Sequence, residues 1–170
     1  MSAFHIESLD SIVFAGSRNR LDEGNIPSIE GAKAVLETFY HAFNTRNLSL
    51  FTQVWLDHPL IQLNNPLGGI MRGAGDIEEL YRKVFQGNVF VEVEFHDIVL
   101  YSSFEYAVFA GRERGTYRIG TNIYPLNIRT TRCFQYIDSK GGWRQVHHHG
   151  SIDDSRLLHN YQKAIRGDMI

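Results

Sequence analysis

The sequence predicts a single α+β domain, and three observations carry that expectation. Between positions 28 and 86 apolar residues recur every three or four positions, the period of an amphipathic helix. From about residue 88 the period drops to two, the alternation of a half-buried strand. A last helical pattern begins after residue 152. Helices segregated from a run of long antiparallel strands build an α+β architecture, not alternating βαβ units.

Each element follows from local residues. Residues 1–27 lack a clean period and are expected to form an N-terminal arm, separate from a domain over residues 28–170. Within the arm Phe4, Ile6, Leu9, Ile12, Val13 and Phe14 suit a short helix or a segment docked on the body. Ser28 is placed to cap a first helix, whose inner face reads Ala32, Val35, Leu36, Phe39, Ala42 and Phe43. The polar stretch from Asn44 to Asn47 ends it, and Leu48 to Trp55 reads as a second, shorter helix. Asp57-His58-Pro59 stops that helix, because proline disfavours helical backbone in the residue before it. Leu60, Ile61 and Leu63 suit a short strand, Asn64-Asn65-Pro66-Leu67-Gly68-Gly69 a turn, and Ile70-Met71 a return strand. Gly73 to Gln86 reads as a third helix, with Asp76, Glu78 and Glu79 near its positive end. Val89, Val91, Val93 and Phe95 alternate with Phe90, Glu92, Glu94 and His96, which points Glu92, Glu94 and His96 outward. Strands over Tyr106–Tyr117, Asn122–Ile137 and Trp143–Ser151 follow, and Asp153–Ile165 closes the chain as a helix.

Composition narrows the function classes. The chain has 170 residues, 43% hydrophobic, so it can bury a core without staples. One cysteine, Cys133, excludes an internal disulfide and a multi-thiolate zinc or iron–sulfur site, and it reads as buried packing. Seventeen basic residues against nineteen acidic ones, with no basic block, argue against nucleic acid as a partner. No apolar run reaches the roughly 18 residues of a membrane span, and the N-terminus lacks the pattern of a signal peptide. A cytoplasmic protein without membrane partners is expected, and no cofactor is expected.

Three stretches carry a family resemblance: Phe39-Tyr40-His41-Ala42-Phe43-Asn44-Thr45-Arg46-Asn47-Leu48; Asn64-Asn65-Pro66-Leu67-Gly68-Gly69 with Gly73; and Thr131-Arg132-Cys133-Phe134 leading through Trp143 to His147-His148-His149-Gly150-Ser151. With this element order they resemble the nuclear transport factor two-like superfamily, also called SnoaL-like or ketosteroid-isomerase-like. The last stretch is most similar to the association domain of calcium/calmodulin-dependent kinase II and its bacterial stand-alone relatives. The resemblance implies a cone: a curved antiparallel sheet wrapped around three helices, here with an extra C-terminal helix. It also implies a pocket inside the cone, and a homodimer through the outer sheet face. Because this fold hosts enzymes, binding modules and assembly hubs, the reaction does not follow from it.

Tested residue by residue, the steroid isomerase pattern is not met. The tyrosine position falls on Phe39 beside Tyr40, the base on Asn65, whose amide takes up no proton, and the second acid near Arg132. An Asp–Arg–Asp set of the epoxide hydrolase type is not evident either. The association-domain comparison implies that Arg112 and Arg132 line the pocket as a carboxylate-binding pair, while a third family arginine is replaced by Gly150. Arg132 reads equally as an inward arginine paired with a buried acid. Strand alternation puts His147 and His149 on one face with Trp143 and Gln145, and His148 on the other. If that face is concave, His147 and His149 are the candidate proton-transfer groups. The alternatives are imidazoles that shape the cone through hydrogen bonds, or the start of a metal site that lacks a third ligand. Substrate-binding candidates are Arg132, Arg112, Tyr40, Trp55 and Asn65, with Tyr40 and Trp55 read as core or pocket wall rather than catalytic, and Asn65 as a turn residue ahead of a ligand group. Asp57, Asp97 and Asp153 are the candidate carboxylate partners. Two functions remain open: a small-molecule pocket with isomerase, dehydratase or cyclase chemistry on a small carbonyl or carboxylate compound, and a non-catalytic ligand-binding or assembly domain.

Overall fold

The structure is a computed structural model and describes residues 3–167. The chain runs β1 (His5–Ser8), a 3₁₀ turn (Leu21–Asn25), α1 (Ile29–Asn44), α2 (Leu48–Val54), β2 (Gln62–Asn64), β3 (Ile70–Arg72) and α3 (Ala74–Gln86). There follow β4 (Val89–Ser102), β5 (Tyr106–Ile119), β6 (Asn122–Ile137), β7 (Gly142–Ser151) and α4 (Ser155–Arg166). The strands form one curved sheet in the order β1-β4-β5-β6-β7-β2-β3. The expected α+β cone with its C-terminal helix is the observed architecture. One pairing is not antiparallel: β2 lies parallel to β7, with Leu63 opposite His148.

The arm holds a strand where a short helix had been one expectation. β1 pairs with the edge of β4, Ile6 opposite Tyr101. All four of its side chains are exposed, so no apolar pattern announces it; its backbone groups find partners on an edge that would otherwise be open. Beyond it Leu9 and Phe14 are buried, and Phe14 exchanges backbone hydrogen bonds with Phe95 at 3.1 and 3.0 Å.

Helix α1 forms where its apolar stripe predicts. Ser28 stands in the capping position with extended backbone, although its hydroxyl makes no capping bond. At the far end Arg46 takes a positive φ of 56°, and Asn47 turns the chain back by donating its backbone N–H to Ala42 O. Asn47 then caps α2, its Oδ1 accepting from Leu50 N at 3.0 Å. The inner faces of α1, α2 and α3 meet through Phe39, Phe43, Phe51, Tyr81 and Phe85, packed mostly edge to face. Asn44 ties this helical layer to the sheet. Its Nδ2 donates to Val93 O at 2.9 Å, and its Oδ1 accepts from Val93 N at 3.0 Å.

The bending of the sheet is visible in two places. Between His96 and Val99 β4 carries a bulge, with Asp97 at a positive φ of 53°. Beside it β5 carries Gly111 and Gly115, and a Cβ at either would collide with β4 backbone, at His96 O or Glu92 O. Side chains at these two inward positions would hold the strands apart, so glycine lets β4 close over β5. The second irregularity is in β7. Gln145 pairs with Phe134 and His147 with Cys133, which leaves Val146 as an extra residue. Among the described residues no helix is long and apolar enough to cross a membrane.

Candidate functional site

The inner face of β5 reads Ala107, Phe109, Glu113 and Tyr117, all buried. Glu113 is therefore the single acid that alternation aims into the cone. On β6 the same face carries Arg132. Glu113 and Arg132 are 4% and 2% exposed, and Arg132 Nη2 donates to Glu113 Oε1 at 2.6 Å. Tyr40, from α1, bridges them: its hydroxyl donates to Glu113 Oε1 at 2.7 Å and accepts from Arg132 Nε at 2.9 Å. Arg132 Nη1 donates to Gln145 Oε1 at 3.0 Å. The face of the guanidinium lies over the Phe39 ring, 3.6 Å from its centroid. A buried ion pair is tolerated when further hydrogen bonds support it; each guanidinium nitrogen of Arg132 makes one here, while Gln145 Nε2 has no partner among the described residues.

Electrostatics follow from the arrangement. Burial works against the charge of Arg132, but Tyr40, Glu113 and Tyr81 together outweigh it and hold the group above its ordinary value. Burial pushes the Tyr40 hydroxyl well above the usual phenol range, so it stays protonated.

Next to this network lies a cavity of about 40 Å³, room for roughly one to three waters or the head of a small ligand. Its polar wall is Glu113, Arg132, His148 and Asn65; its apolar wall includes Phe43, Val91, Ile128 and, from α4, Tyr161. Gln162 fastens α4 to the turn after β2 by donating to Leu67 O at 3.0 Å. His148 is 3% exposed and directly opposite Arg132 in the β6–β7 register. Neither of its ring nitrogens has a partner among the described residues. Burial first, then the charge of Arg132 and the two flanking imidazoles, holds its pKa well below the ordinary value, so the ring is neutral.

The bulge decides which histidine reaches the cavity. Uninterrupted alternation from Gln145 would turn His147 and His149 inward. Because Val146 is extra, His148 turns inward instead, and it alone of the three lines the cavity. His147 is half-buried outside it, its Nδ1 donating to Gln62 O at 3.0 Å, and burial lowers its pKa. His149 is exposed, and its Nδ1 accepts from Asn64 Nδ2 at 3.4 Å.

The expected arginine pair does not converge. Alternation on β5 sends Arg112 to the face opposite Glu113, where it donates to Asn127 Oδ1 at 3.1 Å and meets Asp153 at 3.4 Å. That contact lowers the Asp153 pKa. Asp97 is paired with Arg114 on the outside, and Asp57 is exposed. Asn65 lines the cavity, while its Oδ1 accepts from Leu67 N at 2.8 Å as a turn residue does. Tyr40 reaches the cavity only through Glu113 and Arg132. Trp55 is buried beside β7, bridged through its backbone to Gln145, and is not part of the cavity wall. Cys133 is buried, and burial raises its thiol pKa.

Two residues of the site, Glu113 and His148, escaped the sequence-based expectation. Glu113 had a usable signal, as a lone acid between two arginines that share the other face of its strand. His148 had none, since a bulge leaves no mark in an alternating pattern. Among the described residues no three His, Cys, Asp or Glu side chains come together in a metal-binding arrangement.

The family described as SnoaL-like domain matches this chain over residues 32–155. Among solved structures, a proposed dehydratase of the NTF2-like family from Streptomyces avermitilis superposes with a TM-score of 0.68 at 14% identity, over 75% of this chain and 97% of that one. A proposed calcium/calmodulin-dependent protein kinase type II association domain from Thiobacillus denitrificans gives 0.58 at 22% identity, over 72% and 94%. A ketosteroid isomerase-like protein from Erwinia carotovora gives 0.60 at 17% identity, over 72% and 93%. No curated protein matches the chain. At these identities the likeness carries the fold alone.

Proposed function

The chain belongs to the SnoaL-like domain family, and from that premise we propose that it binds a small molecule inside the cone and moves a proton on it, as an isomerase, dehydratase or cyclase does. One observation supports this reading above the others: a carboxyl group, Glu113, and an unpartnered imidazole, His148, open on the same buried cavity. Both are groups that take up and deliver protons. Oε1 of Glu113 is occupied by Tyr40 and Arg132, and Oε2 accepts no hydrogen bond from the described residues, so it is the oxygen free to meet a ligand. In this reading Glu113 removes a proton beside a carbonyl, and His148 hydrogen-bonds the oxygen on which charge develops. Tyr40 and Arg132 fix the carboxyl group and do not themselves exchange protons. The role expected of His147 and His149 thus passes to His148 and Glu113.

The test is exchange of a ligand's α-protons in D₂O, followed by proton NMR with hydroxyacetone and 2-cyclohexenone. Exchange accelerated by the wild-type protein and reduced about 10²–10⁴-fold in Glu113→Gln supports the reading. Exchange no faster than in buffer, with either compound shown to be bound, favours a binding domain without chemistry.

Self-association is a second proposal, supported by the outer sheet face. Exposed Phe90 and Ile123 flank Arg118 in one row across β4, β5 and β6, and exposed Ile6 and Tyr101 form another row. Such rows suit a homodimer. Sedimentation velocity of the wild type and of Ile123→Glu tests it, with dimer expected for the first and monomer for the second. A cytoplasmic setting is proposed with these, on the ground of one buried, unpaired cysteine; cell fractionation checks it.

A further inference from the structure

The polar wall of the cavity is built for a particular class of ligand, and the starting point is what its one cation still has to offer. Three of the guanidinium donors of Arg132 are committed, to Tyr40, Gln145 and Glu113, and Phe39 covers one face of the group. Its charge is answered by Glu113 at 2.6 Å. A carboxylate is recognised by a guanidinium that presents two parallel donors; here Nε, Nη1 and Nη2 already donate to Tyr40, Gln145 and Glu113, one bond each. A second cation is not at hand, since Arg112 is on the other face with Asp153. Nor does Gly150 leave room for a basic side chain. A Cβ there would press on Pro66 and Ile128, both part of the cavity wall. An anion entering this chamber would give up its hydration, meet the Glu113 carboxyl group, and find no free cation.

His148 supplies the complementary half of the argument. A neutral imidazole is a donor at one nitrogen and an acceptor at the other, and both are unmatched by any described group. Burying two unmatched polar atoms is costly, so an occupant of the cavity that gives or takes a hydrogen bond at this ring would relieve that cost. The remaining wall is aromatic and aliphatic.

Resting on the proton-transfer reading above, we infer that the cavity selects small uncharged molecules carrying a hydroxyl or enol next to a carbonyl, read by His148, and turns away carboxylates of the same size. The selectivity resides in the spent guanidinium of Arg132 and in the unpartnered ring, not in the size of the chamber.

A matched pair of probes separates charge from shape: hydroxyacetone and glycolate differ only in a methyl group exchanged for a charged oxygen. The full chain, labelled with ¹⁵N-histidine, is titrated with each at pH 7.5 while the His148 ring resonances are followed. Saturable shifts of the His148 signals with hydroxyacetone, at a dissociation constant at least tenfold below that for glycolate, are expected. His148→Phe should weaken hydroxyacetone binding at least tenfold without admitting glycolate, and a circular dichroism spectrum matching the wild type establishes that the variant folds. Glycolate binding as tightly as hydroxyacetone, with His148 responding, overturns the charge selection while leaving a ligand pocket in place. Hydroxyacetone binding that leaves the His148 signals unmoved overturns the part given to that residue, and needs no variant. If neither probe, nor 2-cyclohexenone, shifts His148 or, in a uniformly ¹⁵N-labelled sample, any backbone amide of the cavity wall, the pocket reading fails together with this one.

Discussion

The guanidinium carbon of Arg132 sits 3.6 Å from the centre of the Phe39 ring, so a charged side chain is packed as a core residue. Helix α1 supplies that ring and Tyr40, and the sheet supplies Glu113 and Gln145. The network therefore joins the two layers of the cone while it shapes one wall of the cavity.

Removing one partner of this network should cost more than removing both. Arg132→Ala leaves Glu113 buried without its cation, and a loss of about 3–5 kcal/mol is expected. Replacing both charges by apolar residues, Arg132→Met with Glu113→Leu, should be clearly less damaging than Arg132→Ala. Urea denaturation midpoints at pH 7 decide it; a double variant less stable than the single one would show that the pair itself, not the orphaned charge, holds the layers.

Asn44 behaves as a piece of strand carried on a helix, since it matches both the N–H and the C=O of Val93. Asn44→Ala leaves two partly buried backbone groups without partners and should destabilise by about 1–3 kcal/mol. Amide exchange at Val93 is the specific readout, with faster exchange expected there than at its neighbours. Unchanged protection would mean that the contact is incidental.

The neutral state of His148 has a consequence for acid stability. Burial, then Arg132, His147 and His149, holds its folded pKa well below the unfolded value, which is about 6.5. The unfolded chain accordingly binds a proton that the fold refuses, and stability should fall as pH drops below about 6.5, by at most about 1.4 kcal/mol per pH unit from this group. His147, also lowered, adds a term of the same sign. In His148→Asn the difference in melting temperature between pH 7.5 and pH 5 should shrink. Parallel profiles for variant and wild type would assign the acid sensitivity elsewhere.

The arm divides into an ornamental and a structural part. β1 buries no side chain, whereas Phe14 is 4% exposed and sits edge-on to Phe109. Phe14→Ala should cost about 3–5 kcal/mol. Deleting residues 1–8 should cost distinctly less, and leave the unfolding transition cooperative. Equal losses would mean that the β1–β4 pairing holds the arm in place.

Most elements of the cone were legible because their periods are long and clean: α1 and α3 at three- and four-residue spacing, β4 to β6 at spacing two. β1 was not, because an exposed edge strand is held by backbone hydrogen bonds and needs no apolar residues. The parallel seat of β2 beside β7 was not, because pairing between short segments distant in sequence has no local signature. In the site, Arg132 was legible as an inward arginine and its pairing with a buried acid was one of two readings. A carboxylate partner for the histidines was sought among Asp57, Asp97 and Asp153, all of which face outward or meet surface arginines. Glu113 was passed over because Arg112 had been given the pocket-facing side of the strand, which by alternation sent its neighbour outward.

The extra residue in β7 has a bearing on how this strand can change over time. Were Val146 accommodated without a bulge, the position opposite Arg132 would be taken by His147 in place of His148. Because three histidines stand in succession, that slip exchanges one imidazole for another opposite Arg132, but it also carries His149 to the place of Gly150, where a Cβ presses on Pro66 and Ile128. Loss of Val146 is the milder change, since a straightened strand still turns His148 inward and keeps Gly150 opposite Thr130. The run acts as spare coverage for the imidazole, and it is Gly150 that sets which register the cavity wall accepts.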